Sequence, residues 1–343
     1  MSVETADPFD HPSFKVASLT QSINALPTAY GDSRKLFSRE KKVSTRTILV
    51  EERNGVLTLI QSREPGSDEN YAERGKRKVQ SFVVPHLPLD DVILPSEYAD
   101  LRGFGTTTLV ARSQLVKERL ETLKASHDIT HEHLRMGAKK GKILDADGSV
   151  LHDLFAAFGI AKPVVYFDLD NEKSDVSGAC RQVLRITEDH LRGDVMTGVS
   201  VDVSPEFFDK LIAHESVREV FIGHEAAVNR LGGDSRKGFK FGGLTFSEHR
   251  GKHVNIDGKE RRFVNAGEGH AYPDGTLNTF FTAIAPADFN ETAGTLGQRY
   301  YAKLEQRRMG RGYDLHSQSN ILPLCAQPGV LVECKMGKRP TNA

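Results

Sequence analysis

The chain has 343 residues, 38% of them hydrophobic and 27% charged, which is enough for two or three domains with buried cores. Its 46 Lys and Arg balance its 46 Asp and Glu, so no net charge draws the whole molecule onto nucleic acid or a membrane surface. Three cysteines, Cys180, Cys325 and Cys334, are too few and too irregularly spaced for a disulfide framework, and a reducing compartment is expected.

Residues 1–46 are polar, with Pro8, Pro12 and Pro27 and a basic cluster at Arg39, Lys41 and Lys42; they read as an extended arm with one short helix. The first ten residues carry Glu4, Asp7 and Asp10 and neither a basic start nor an apolar run. No signal peptide or membrane span is expected there, and the chain is expected to be made in the cytoplasm. Residues 49–89 are the most informative stretch. Asn54-Gly55 lies between Thr47-Ile48-Leu49-Val50 and Val56-Leu57-Thr58-Leu59-Ile60, a strong hairpin signal. Residues 63–78 then hold five basic and four acidic side chains with almost nothing apolar, a solvated excursion. A β pattern resumes at residues 79–84. Such a two-stranded arm has no core of its own and implies a surface supplied by another subunit.

Gly103 and Gly105 bracket Phe104 in an expected chain reversal. Residues 109–140 contain no Pro and one Gly, with a cap expected at Thr106–Thr108 and a stop at Gly141. Leu109, Val116, Leu120, Leu123 and Leu134 recur near helical spacing between charged residues, predicting a long helix with a narrow apolar stripe and an exposed polar face. A hairpin at residues 142–151 turns at Asp147-Gly148, and a helix at 175–192 puts Cys180 on its inner face as a small hydrophobe. Residues 198–203 alternate as a strand, and Ser204-Pro205-Glu206 opens a helical stretch at 207–231 that Gly232-Gly233 stops. Strands are expected at 239–246, 262–265 and 279–284, with turns at Asp257-Gly258 and Asp274-Gly275. Residues 299–335 return to extended character, including 320–324 and 330–334.

Catalytic patterns are weak. His127 and His131 stand at i and i+4 and resemble half of a zinc clamp, but Asp128 stands where the general-base Glu of such motifs would be, and no third ligand motif follows. Histidines on an exposed charged helix face are common and account for this pattern without a metal. Asp168, Asp170 and Glu172 suggest a calcium loop, yet Lys173 and Ala179 occupy its required Gly and Glu positions. No phosphate-loop, dinucleotide or serine-elbow motif is present, and Lys139 and Lys140 read as a basic helix C-terminus. Residues 299–343 carry eight Lys or Arg against three Asp or Glu, a basic tail on an acidic body.

The order of parts is specific: an arm, a long excursion, a long helix ending in Ala138-Lys139-Lys140-Gly141-Lys142-Ile143, a central α/β unit and an extended return. With Gly242-Gly243-Leu244-Thr245-Phe246, Phe263-Val264 and Pro273-Asp274-Gly275-Thr276, this order resembles the tailed-phage major capsid proteins of the lambda type, capsid protein E, over most of residues 15–335. The resemblance implies an α+β fold of the Hong Kong 97 type. Its parts would be an N-terminal arm (1–46), an extended β-hairpin loop (47–88), a peripheral domain with the spine helix (89–195), an axial domain (196–298) and a C-terminal return to the peripheral domain (299–343).

The function this implies is self-assembly into the icosahedral head shell of a tailed DNA phage, with no catalysis and no cofactor. Implied partners are other copies in hexamers and pentamers, a separate scaffolding protein, a portal, a decoration protein and packaged double-stranded DNA held without sequence preference. No membrane is involved; the location is the virion capsid, assembled in the host cytoplasm. Arg53, Asn54, Arg63, Glu64, Arg74, Lys76, Arg77, Lys78, Arg307, Arg308 and Arg311 are the expected subunit-interface residues. Arg299, Lys303, Arg307, Arg308 and Arg311 would form ion pairs between subunits or face DNA. The alternatives are an encapsulin-type cellular shell, a zinc-dependent hydrolase built on His127 and His131, and a tail or baseplate protein.

Overall fold

The structure, a computed structural model, describes residues 9–27, 32–53, 77–99, 108–254 and 258–340. From the N-terminus, α1 (Val16–Ala25) is followed by β1 (Glu40–Lys42), β2 (Thr47–Arg53), β3 (Arg77–Val83), β4 (Pro88–Ile93), α2 (Pro95–Ala99) and α3 (Thr108–Lys139). Next come β5 (Lys142–Leu144), β6 (Val150–Asp153), α4 (Leu154–Phe158), β7 (Val164–Tyr166), α5 (Val176–His190), β8 (Gly198–Val203), α6 (Pro205–Ala213) and α7 (Glu215–Arg230). The remainder is mostly strand: β9 (Phe239–Phe241), β10 (Leu244–Glu248), β11 (Lys252–Val254), β12 (Glu260–Arg262), β13 (Glu268–Asp274), β14 (Phe280–Ile284), β15 (Tyr301–Gln306), β16 (Tyr313–Gln318), β17 (Ile321–Cys325) and β18 (Val332–Lys335). No helix among the described residues is long and apolar enough to cross a membrane.

Two compact units emerge. The first comprises residues 1–48, 83–132 and 282–323. Its three-stranded sheet runs β15-β16-β4, with both pairings antiparallel. Leu19 and Ile23 of α1 and Val116, Leu120 and Leu123 of α3 repeat at helical spacing and bury with Ile93, Tyr300, Ala302, Tyr313 and Leu315. The N-terminal segment is therefore not simply an extended arm. Phe9 and Phe14, with ring centroids 5.0 Å apart, bury with α1, because apolar side chains at 9, 14, 19 and 23 have a core to enter. Farther on, β1 runs parallel to β14 with Glu40 opposite Thr282.

The second unit, residues 49–82, 133–281 and 324–343, is built on a six-stranded mixed sheet ordered β7-β18-β13-β8-β10-β9. Parallel β8 and β10 are joined through α6 and α7, while β13 runs antiparallel to β8 at the centre. Ser204 caps α6 by accepting from the Phe207 amide at 3.2 Å, with Pro205 at the first helical turn. Asp175 caps α5 in the same way. Cys180 is fully buried beneath this sheet and its thiol pKa is pushed up to about 12 by burial, as expected of a small core hydrophobe.

Three strand expectations are corrected. Residues 239–246 form two strands, because Gly242 and Gly243 take φ of 58° and 85° and reverse the chain between β9 and β10. The strand expected at 262–265 ends at Arg262, and Phe263 and Val264 instead bury with Met136. Strand β13, Glu-Gly-His-Ala-Tyr-Pro-Asp, lacks a clean apolar alternation and is not marked by local pattern, only by the resemblance; its place between β8 and β18 compensates for its weak intrinsic preference. The expected turn at Asp257-Gly258 and the chain reversal at Gly103 and Gly105 lie wholly or partly outside the described residues.

Candidate subunit interfaces

Helix α3 has the expected exposed polar face in its first half, where Lys117, Glu118 and Glu121 are exposed, and corrects that expectation in its second half. Lys124, His127, Asp128, His131, Glu132, Arg135 and Lys139 are all buried. In the first unit, His127 Nε2 lies 3.0 Å from Ser317 Oγ and His131 Nε2 lies 2.7 Å from Ser319 Oγ. Four helical residues rise about 6 Å and two strand residues about 6.6 Å, so histidines at i and i+4 match serines at j and j+2. The Tyr300 hydroxyl donates to Asp128 Oδ1 and sits 3.3 Å from His131 Nδ1. Glu132 Oε1 accepts from the Ser33 amide at 2.9 Å. Burial lowers the His127 pKa to about 4, with Asp128 opposing and His316 adding to the shift, so a neutral ring is favoured.

This geometry speaks against the zinc reading. The Nε2 atoms that would hold a metal are engaged with serine hydroxyls, and the ring centroids are 6.3 Å apart. No group of three His, Cys, Asp or Glu among the described residues is placed to hold an ion. At His127 and His131 the helix–sheet contact is a polar ladder of imidazole–serine rungs.

In the second unit the end of α3 carries Lys139, whose ammonium is buried against Asp202 on β8 and lies 3.9 Å from the Tyr272 ring centroid. Burial alone would lower the Lys139 pKa, but Asp202 and Tyr272 outweigh it and hold it above the ordinary lysine value. Lys139 thus anchors a core rather than serving as a solvated cation at a helix end. His270, one strand residue from Ala271, is held well below the usual histidine range by burial and then by Lys140, Lys162, Lys139 and Lys335.

Three surfaces remain exposed where a core would be expected. The arm strands β2 and β3 pair with one another. Ile48, Val50 and Phe82 turn inward, with Phe82 5.4 Å from the His152 ring, while Leu49, Val79 and Val83 are 58%, 49% and 53% exposed. A strand pair apolar on both faces has one face available for other protein. Helix α7 buries Val217 and Phe221 but leaves Val220, Ile222 and the following Leu231 exposed. Sequence reading passed over this surface; the available signal was that apolar residues at 217, 220, 221 and 222 occupy more of the helix circumference than one contact can cover. The third surface is the tip between β15 and β16, where Met309 is 87% exposed at φ 63° beside Arg308 and Arg311.

Of the expected interface residues, Asn54, Arg63, Glu64, Arg74 and Lys76 lie outside the described residues, as does the Asn54-Gly55 turn. Arg53 ends β2, and Arg77 and Lys78 open β3. Among the C-terminal cations, Arg299 pairs with Glu40 at 2.5 Å, Lys303 with Glu291 at 3.2 Å and Arg307 with Asp314 at 3.1 Å. Each of these three thus has a carboxylate within its own chain: Glu40 on β1, Glu291 ahead of β15, and Asp314 across the β15–β16 hairpin.

Two solved structures share the fold. A putative capsid protein of an Escherichia coli CFT073 prophage is 14% identical, with a TM-score of 0.57 over 94% of this chain and 99% of that one. A phage-related protein of Bordetella bronchiseptica RB50 is 11% identical, with a TM-score of 0.52 over 95% of this chain and 99% of that one. The α+β architecture is that of the Hong Kong 97 type. By sequence, a major capsid protein of Salmonella phage Felix O1 is 28% identical, the match covering 94% of this chain and 96% of the relative. One of Pseudomonas phage KPP10 is 27% identical, covering 94% and 97%. The family described as phage major capsid protein E matches residues 15–336. The chain belongs to that family: it is a structural, shell-forming protein of the tailed-phage virion that assembles with copies of itself, and it is not an enzyme.

Proposed function

We propose that each subunit enters hexamers and pentamers of an icosahedral shell by laying the arm, residues 47–88, on a neighbouring copy. The observation that carries this reading is the exposed apolar row Leu49, Val79 and Val83 on paired strands β2 and β3. Within this scheme residues 1–46 act as the N-terminal arm, 89–195 as the peripheral domain with the spine helix, 196–298 as the axial domain and 299–343 as the return. Arg53, Asn54, Arg63, Glu64, Arg74, Lys76, Arg77 and Lys78 make the polar contacts of the arm. Arg307, Arg308 and Arg311 surround the exposed Met309 at a second contact.

The exposed apolar residues of α7 support placing it against its equivalent in the next copy around a symmetry axis. Many such weak contacts add because the shell closes on itself. A separate scaffolding protein, a portal and a decoration protein complete the particle, which encloses double-stranded DNA without sequence preference.

The test is electron microscopy and sedimentation of the full chain, expressed with and without a scaffolding partner. Closed icosahedral particles or rings of five and six subunits are expected. A monomer or dimer under every condition would overturn the arm-and-ring scheme.

A further inference from the structure

Helix α7 is fixed in rotation by its buried side. Val217 and Phe221 enter the core of the second unit, and the Phe221 ring lies 5.2 Å from that of Phe239 and 6.0 Å from that of Phe208. At about 100° per residue, Val220 and Ile222 project about 160° apart, on opposite flanks of that buried side. They are 49% and 57% exposed. The two flanks are chemically unlike. The Val220 flank continues through the exposed Ala227 to Leu231 and carries no carboxylate of α7, and a side chain built at Gly223 beside it would meet nothing within 4 Å. Around Ile222 stand Glu215, Glu219 and Glu225, with Arg218 as the cation of that flank, and all four are exposed. Apolar residues on opposite flanks of one helix cannot both be covered by a single neighbour. A ring supplies each copy with two neighbours.

We propose that α7 forms a head-to-tail seam, in which the Val220 flank of one copy seats against the Ile222 flank of the next. The seam rests on the reading of α7 as a ring element. Rings of five or six subunits close through contacts between two different patches, whereas like patches meet only across a two-fold axis. Charge selects the same arrangement. Pairing two Ile222 flanks would set three carboxylates of each copy against those of the other, and like charges facing across an interface disfavour it. The Val220 flank brings no carboxylate, so it receives the acidic flank without that repulsion while Val220 and Ile222 are covered together.

The experiment prepares Val220→Asp and Ile222→Asp separately in the full chain, checks their folding by thermal melting, and compares them with wild type by sedimentation velocity under ring-forming conditions. Each variant alone is expected to stay monomeric, because it keeps one flank and lacks the complement. An equal mixture is expected to double in mass to one-to-one dimers and go no further. The intact Val220 flank of one variant meets the intact Ile222 flank of the other, and both outer flanks are blocked. Dimers of Ile222→Asp by itself would show the Val220 flank pairing with its own kind and overturn the seam. A mixture that stays monomeric beside ring-forming wild type would overturn the seam and leave the ring reading standing. Wild type that forms no rings under any condition would overturn both. If an aspartate variant melts early, Val220→Ser and Ile222→Ser replace the pair, with the same outcomes expected.

Discussion

Lys139 and Asp202 are a buried ion pair whose worth depends on both partners being present. Lys139→Met leaves the Asp202 carboxylate buried with Tyr272 as its remaining donor, at 3.2 Å, and is expected to lower unfolding free energy by about 3–5 kcal/mol. Adding Asp202→Leu should recover part of that loss, because the uncompensated charge is gone; urea unfolding of the unassembled subunit measures both. His127 makes a separate prediction. Its pKa falls from 6.5 to about 4 on folding, so the unfolded chain binds more protons between those values. Its contribution is fully present above pH 6.5 and is lost as pH falls toward 4, in total about 3 kcal/mol. His127→Gln can still hydrogen-bond Ser317 but cannot titrate, and it should flatten the decline of unfolding free energy between pH 6.5 and 4. An unchanged slope would place the acid sensitivity elsewhere. At this scale the sequence displayed the i, i+4 histidines but not their serine partners, which lie about 190 residues away and meet them only through the antiparallel sheet.

Among elements, helices were more legible than strands. Gly141 ends α3 at φ 75°, and a Cβ built there would overlap the Phe155 ring. Gly141→Ala is expected to cost about 1–3 kcal/mol through backbone strain and overpacking, read as a lowered urea midpoint with an unchanged slope. The helix capped by Ser204 and the strand Gly198–Val203 were also readable, because caps and alternation are local chemistry. By contrast β13 left no local pattern in a segment containing Gly269 and Pro273, since its position is decided by β8 and β18 on either side. Helix α7 makes the complementary prediction. Replacing Val220 and Ile222 with Asp should leave the melting temperature of the isolated subunit nearly unchanged, as both are exposed, while abolishing ring formation in sedimentation. A shell that forms normally from this variant would remove α7 from the interface.

For the whole molecule, removal of residues 64–76 tests the arm. Every strand of the six-stranded sheet and helices α1 and α3 lie outside the removed segment, so the shortened chain is expected to fold with native melting behaviour and fail to yield stable particles by electron microscopy. Normal particles would show that the arm is dispensable. Sequence alone determined the long helix, the capped helix after Ser204 and the resemblance to capsid proteins, because periodicity, caps and turn residues are written locally. Only the tertiary structure decided that the polar residues in the second half of α3 are buried, and that Arg299, Lys303 and Arg307 have partners within their own chain. Each of those outcomes depends on residues distant in sequence being brought within a few ångströms, where desolvation decides whether a charge is paired or neutralised.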